Sequence, residues 1–125
     1  MKKFYKCKKC GDIIIKLKDN GARLSCCNDV LEELTLNSVE ASNEKHLPQV
    51  SFSNNLMNVS IGSITHPMTI DHLIEWVFVE FGNGGEFVYL NSEPFVTINV
   101  LGKVVKNVYS YCNQHGLWVK EVKEM

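Results

Sequence analysis

Apolar and polar positions alternate in short runs through most of this chain, and the runs change character near residue 37. Beyond that point every apolar segment is short and rich in Val, Ile, Phe, Tyr and Trp, the types that favour strands. Residues 49–53 and 56–61 flank Asn54-Asn55, a turn signal, and predict a hairpin. Residues 73–81 are apolar on both alternating faces and predict a central or doubly covered strand. Asn83-Gly84-Gly85 predicts a turn into a strand over 87–90. Pro94 opens a segment through 100 in which Val96, Ile98 and Val100 alternate; strands over 104–111 and 117–122 follow. Seven strands without a helical period predict a mainly β fold, a seven-stranded β-sandwich of immunoglobulin type. A small barrel is the alternative that periodicity alone leaves open.

Upstream the pattern differs. Residues 1–36 hold four cysteines, most of the basic residues and only short apolar stretches. NSVEASNE, from 37 to 44, is small and polar and reads as a linker. The expected division is a metal module over 1–36 and a β-sandwich over 37–125. A module of 36 residues buries little core and needs a staple.

Composition adds bounds. In 125 residues, 45% are hydrophobic and 22% charged, which is globular and argues against disorder. No unbroken apolar run exceeds four residues, as at 76–79, so no membrane-spanning helix is expected. The start, MKKFYKCKKCG, has no apolar stretch behind it and does not read as a secretory signal; the expected compartment is the cytoplasm. Net charge is −1, divided as +3 over 1–36 and −4 over 37–125. Five lysines among the first nine residues read as a solvated basic edge; without interleaved aromatics they do not predict nucleic-acid binding.

The chemistry lies in five cysteines and four histidines. An odd cysteine count without a signal argues against a disulfide framework and for metal or redox work. Cys7-Lys-Lys-Cys10-Gly11 is a knuckle: two thiolates on a tight turn can hold one metal, and Gly11 lets the backbone turn toward sulfur. The other pair, Cys26-Cys27, is adjacent, so sharing the same metal requires a sharp bend between the two side chains. The expectation is a distorted tetrahedral sulfur site for iron or zinc, since ligand type does not decide between them. A vicinal disulfide or inert thiols are the rival readings.

The remaining residues of ligand type are Glu44-Lys45-His46, His66-Pro67, His72 and Cys112-Asn113-Gln114-His115-Gly116. Each lies near a loop or strand end, where the ends of a sandwich can converge. Four imidazoles and one thiolate make five donors, more than a closed structural zinc site uses, and fit iron with an open sixth position.

Taken together, FYKCKKCG, the CC pair, EKH at 44–46, SITHPM around His66, His72 followed by IEW, and YCNQHGLW at 111–118 resemble desulfoferrodoxin, the two-iron superoxide reductase family, in order and spacing along the whole chain. The resemblance implies a desulforedoxin-like module with an iron held by Cys7, Cys10, Cys26 and Cys27. It implies an immunoglobulin-like sandwich carrying a catalytic iron, with His46, His66, His72 and His115 equatorial and Cys112 axial. Lys45 would be the cation beside the open face and Glu44 a carboxylate able to reach ferric iron. It further implies one-electron reduction of superoxide to hydrogen peroxide, a rubredoxin-like electron donor and a homodimer. Two departures touch no ligand: Asn28 follows the CC pair where Gly is expected, and the preceding loop, KDNGARLS, is less glycine-rich than expected. A pure electron carrier, a superoxide dismutase and a zinc-stapled interaction module are the rival functions.

Overall fold

The computed structural model describes residues 1–37, 46–62 and 66–123. The chain divides into two compact units, Met1–Thr35 and Leu36–Met125. Among the described residues no helix is long and apolar enough to cross a membrane.

The first unit holds five short strands that the hydrophobic pattern did not predict. β1 (Phe4–Lys6) pairs antiparallel with β2 (Ile13–Ile15) and with β5 (Glu32–Glu33). β3 (Ser25–Cys26) and β4 (Asp29–Val30) form a separate hairpin. Strands of two or three residues carry too little pattern to read from sequence. Phe4, Cys7 and Leu31 are the buried hydrophobic residues of the unit. The basic edge is locally offset: Lys3 pairs with Asp19 at 3.2 Å, Lys8 with Glu32 at 3.0 Å and Lys9 with Asp29 at 3.2 Å. The loop that looked short of glycine is organised instead around Asp19, which accepts from the Gly21 amide at 2.9 Å and from Lys16 at 3.0 Å. The Gly21 amide, then Lys16 and Lys3, hold this carboxyl well below the usual range.

The second unit contains the seven predicted strands: β6 (Pro48–Ser53), β7 (Leu56–Ile61), β8 (Ile74–Phe81), β9 (Gly84–Tyr89), β10 (Phe95–Asn99), β11 (Val105–Cys112) and β12 (Gly116–Glu121). They form two antiparallel sheets, ordered β10-β7-β6 and β12-β11-β8-β9. This is an immunoglobulin-like sandwich in which β9 pairs with β8, whereas the constant-type arrangement places the fourth strand beside the fifth. Its core is formed between the sheets by Met57, Val59, Ile61 and Ile98 on one side and Val77, Val79, Phe81, Val108 and Cys112 on the other. β8 lies between β11 and β9 and is buried on both faces, with Trp76 and Phe78 on the face away from this core, so its continuous apolar run is explained.

One turn falls earlier than predicted. Phe81 pairs with Gly84, so Gly82 and Asn83 make the reversal and Gly84-Gly85 already belong to β9. Gly85 is required by packing: a Cβ there would meet the Phe78 ring at 2.4 Å. At the other predicted hairpin Asn54 takes a positive φ of 55°, which Asn tolerates. Before the sandwich proper, Asn37 ties to β12, accepting from the Val119 amide at 2.8 Å and donating its own amide to Leu117 O at 2.9 Å.

Candidate metal centres

Cys7 and Cys10 sit on a turn closed by the Gly11 amide donating to Cys7 O at 2.8 Å, with Gly11 at φ 85°. Cys26 and Cys27 occupy the β3–β4 reversal. Cys26 pairs with Asp29, leaving Cys27 and Asn28 as a two-residue loop with φ of 52° and 65°. Two successive positive φ values mark the I′ class of hairpin turn. This is the sharp bend that adjacent cysteines need: Cys26 projects from the strand end and Cys27 from the turn. Asn28 meets the positive φ that Gly would otherwise supply.

The four sulfurs lie within 4.8 Å of one another, and none is in a disulfide. Cys10 and Cys26 are 3.5 Å apart and Cys26 and Cys27 3.8 Å. A tetrahedral site with metal–sulfur bonds of about 2.3 Å has sulfur–sulfur edges of roughly 3.8 Å, so the spacing fits one ion. Cys7 is buried, while Cys10 and Cys27 are exposed. The Cys10 amide, with help from the Cys26 thiol and the Lys9 amide, lowers the Cys7 thiol to about 6. Hydrogen bonds to Cys7 and Cys10 push Cys26 upward. Four crowded thiols of this kind ionise together only around a cation.

The second cluster brings in all four histidines. Their ring centres lie 4.8 Å apart for His46–His66 and for His66–His72, 5.0 Å for His72–His115 and 4.8 Å for His115–His46. The diagonal His46–His72 is 6.4 Å. These distances describe a near-square. Adjacent rings are nearly perpendicular, at 71° to 80°, while the diagonal pair is inclined by 26°. Half the 6.4 Å diagonal is about 3.2 Å. That matches a metal–nitrogen bond of about 2.0–2.1 Å plus roughly 1.1 Å from nitrogen to ring centre. His46 Nε2 and His115 Nδ1 stand 3.0 Å apart, the separation of two neighbouring ligands at a right angle. Ligand atoms of His46, His66, His72 and Cys112 lie within 4.8 Å of one another, and Cys112 Sγ is 3.8 Å from His115 Nδ1.

Each ligand is fixed from behind. His66 Nδ1 donates to Pro67 O, which sets the tautomer and aims Nε2 inward. His66 Nε2 is buried and has no hydrogen-bond partner among the described residues, as expected of an atom shaped for an ion. Burial, and then the other three imidazoles, hold His66 down to about 4, in its neutral ligand form. Cys112 ends β11 and His115 precedes β12, and Gly116, at φ 82°, lets the turn between them close. The two spacers clamp the loop that carries His72: Asn113 Oδ1 accepts from the Leu73 amide at 3.0 Å, and Gln114 Nε2 donates to Asp71 O at 2.6 Å. Burial raises the Cys112 thiol, and the amides of Gln114 and His115 act against it. Sequence reasoning did not single out these spacers or Trp118 as supports. Amide side chains between two ligands were the available signal. Glu44 and Lys45 lie outside the described residues.

Comparison with known proteins agrees with this geometry. Residues 38–121 match the desulfoferrodoxin family model. A desulfoferrodoxin from Syntrophotalea carbinolica is 34% identical over 120 residues, covering 94% of each chain. The superoxide reductase of Treponema pallidum superposes with a TM-score of 0.81 at 27% identity, covering 97% of this chain and 98% of that one. The one-iron superoxide reductase of Giardia intestinalis matches with a TM-score of 0.54 at 28% identity, over 65% of this chain and 99% of its own. The sulfur cluster and the imidazole square fit two iron ions per chain, one each, with zinc a chemical alternative at the sulfur cluster. Fold, clusters and sequence agree that the chain belongs to the desulfoferrodoxin family.

Proposed function

We propose that the protein is a superoxide reductase working at the imidazole–thiolate centre of its second unit. The observation that carries this reading is the square of four imidazoles with a single buried thiolate beside it. Ferrous iron bound there supplies the one electron that, with two protons, takes superoxide to hydrogen peroxide. His46, His66, His72 and His115, with Cys112, would hold the ion, and five donors would leave it able to take a small ligand. The chain's own contribution is to keep the thiolate dry and oriented: Cys112 belongs to the sandwich core and the Gln114 and His115 amides face its sulfur. Such burial and hydrogen bonding tune the electron density a thiolate gives to iron. Lys45 draws the superoxide anion toward the centre. Glu44 would offer the ion a carboxylate. The assignment of these two rests on the EKH match.

The sulfur centre has no place for substrate, and we assign it electron relay or structural stapling. One-iron relatives such as the Giardia protein, matched by 65% of this chain, support an activity that needs the second unit alone. A rubredoxin-like carrier as donor, a homodimer and a reducing cytoplasm complete the reading; five free thiols suit that compartment.

The test is an anaerobic titration of the fully reduced protein with superoxide, counting peroxide released and iron oxidised. One peroxide per superoxide, with the imidazole-site iron oxidised in step, is expected. One peroxide for every two superoxides without net oxidation would mean a dismutase. No reaction would return the chain to the electron carriers.

A further inference from the structure

His46 stands outside the strands, two residues ahead of β6, so no sheet ladder sets the direction of its ring. One cross-strand pair does so instead. Ser110 of β11 and Trp118 of β12 face each other in register. Ser110 Oγ donates to His46 O at 3.2 Å, and the Trp118 indole stacks on the His46 imidazole with centres 4.9 Å apart and planes inclined by 20°. The indole nitrogen of the same Trp118 donates to His115 O at 3.2 Å. Trp118 therefore touches two adjacent corners of the square, the pair whose nitrogens stand 3.0 Å apart. It is fully buried and lies outside the main apolar cluster of the sandwich.

We propose that Trp118 is a positioning residue for the imidazole centre: its ring face holds the plane of His46, and its N–H holds the main chain at His115. A stacked face resists rotation of His46 about its Cβ–Cγ bond. The square depends on that angle, because His46 stands at 77° to His66 and 80° to His115. A rotated His46 would turn its nitrogen away from the ion and crowd both neighbours. The stack also covers one face of the ligand with apolar surface and keeps water from competing there.

This inference rests on the metal-centre reading above, and its test separates the two. Cobalt(II) is loaded into the full chain, wild type and Trp118→Leu or Trp118→Phe, and withdrawn by a competing chelator while the thiolate-to-cobalt absorption is followed. The sulfur site in the same molecule is the control. Trp118→Leu is expected to weaken cobalt retention at the imidazole site about 10–100-fold, the usual effect of losing a group that orients a ligand, and to shift its spectrum. Trp118→Phe keeps a stacking face and loses the N–H; about a two- to fivefold loss with a smaller shift is expected. Variants that retain cobalt like the wild type with unshifted spectra overturn the proposal. So does an equal weakening in both variants with unshifted spectra, which packing loss alone would give. If the Leu variant fails to fold, the Phe variant decides: wild-type retention with an unshifted spectrum overturns the role. A wild-type chain that takes cobalt only at the sulfur site would instead overturn the reading of the imidazole cluster as a metal centre.

Discussion

The sulfur cluster takes its four ligands from two tight turns between residues 7 and 27, and two of the four are exposed. The imidazole square takes its ligands from residues 46 to 115, and Cys112, His46 and His66 are buried. In the first unit three hydrophobic residues are buried, so an ion there supplies much of what a core would supply. In the second unit two sheets close a core without help, and their packing brings together ligands carried on loops and at one strand end. Similar donor atoms can therefore build a metal-dependent fold or a fold-dependent metal site. Local turn chemistry makes the first; long-range packing makes the second.

The largest effect expected is at Cys112. Cys112→Ser should cut superoxide reduction by more than about a hundredfold and remove the thiolate-to-iron absorption of the second centre, leaving the bands of the first. Loss of both sets of bands would mean that the centres are not independent.

Metal removal probes the comparison directly. After exhaustive chelation under reducing conditions, amide spectra of residues 1–35 should collapse while those of the sandwich strands stay dispersed. A first unit that remains folded without metal would break the contrast. Cys10→Ser should likewise abolish the visible bands of the sulfur centre yet leave the reaction of the reduced second centre with superoxide within about twofold.

Lys45→Ala should slow the bimolecular step by roughly tenfold at low ionic strength, and by less as salt rises, because screening already weakens a single charge. An unchanged rate across salt concentrations would remove Lys45 from the account. The smallest effect concerns the turn itself. Asn28→Ala places a side chain that cannot assist a left-handed backbone at φ 65° and should weaken cobalt retention at the sulfur site by about 1 kcal/mol, roughly fivefold, whereas Asn28→Gly should leave it unchanged.

Much of this was legible in the sequence because the informative features repeat or are rare. The alternation in residues 56–61 gives β7 residue for residue, with Met57, Val59 and Ile61 inward. Nine cysteines and histidines in recognisable spacings gave both ligand sets. What stayed hidden depends on tertiary contact. The β8–β9 reversal falls at Gly82-Asn83, and Gly85 in β9 lies against the Phe78 ring, a contact that runs across the hairpin and not along the chain. The strands of the first unit are too short for any period. Transfer of the fourth strand between sheets leaves the pattern of apolar positions unchanged, because either sheet offers β9 a neighbour.

The span of the second centre, from His46 to His115, has a consequence for the order of events during synthesis. The sulfur cluster can close as soon as the first unit has left the ribosome. The imidazole square does not exist until β11 and β12 have paired, since His115 lies in the turn between them. Iron met earlier by the nascent chain finds scattered histidines and no cage. Loading of the second centre thus waits on completed folding, and an ion once seated would hold together parts of the chain that must separate for the sandwich to open again.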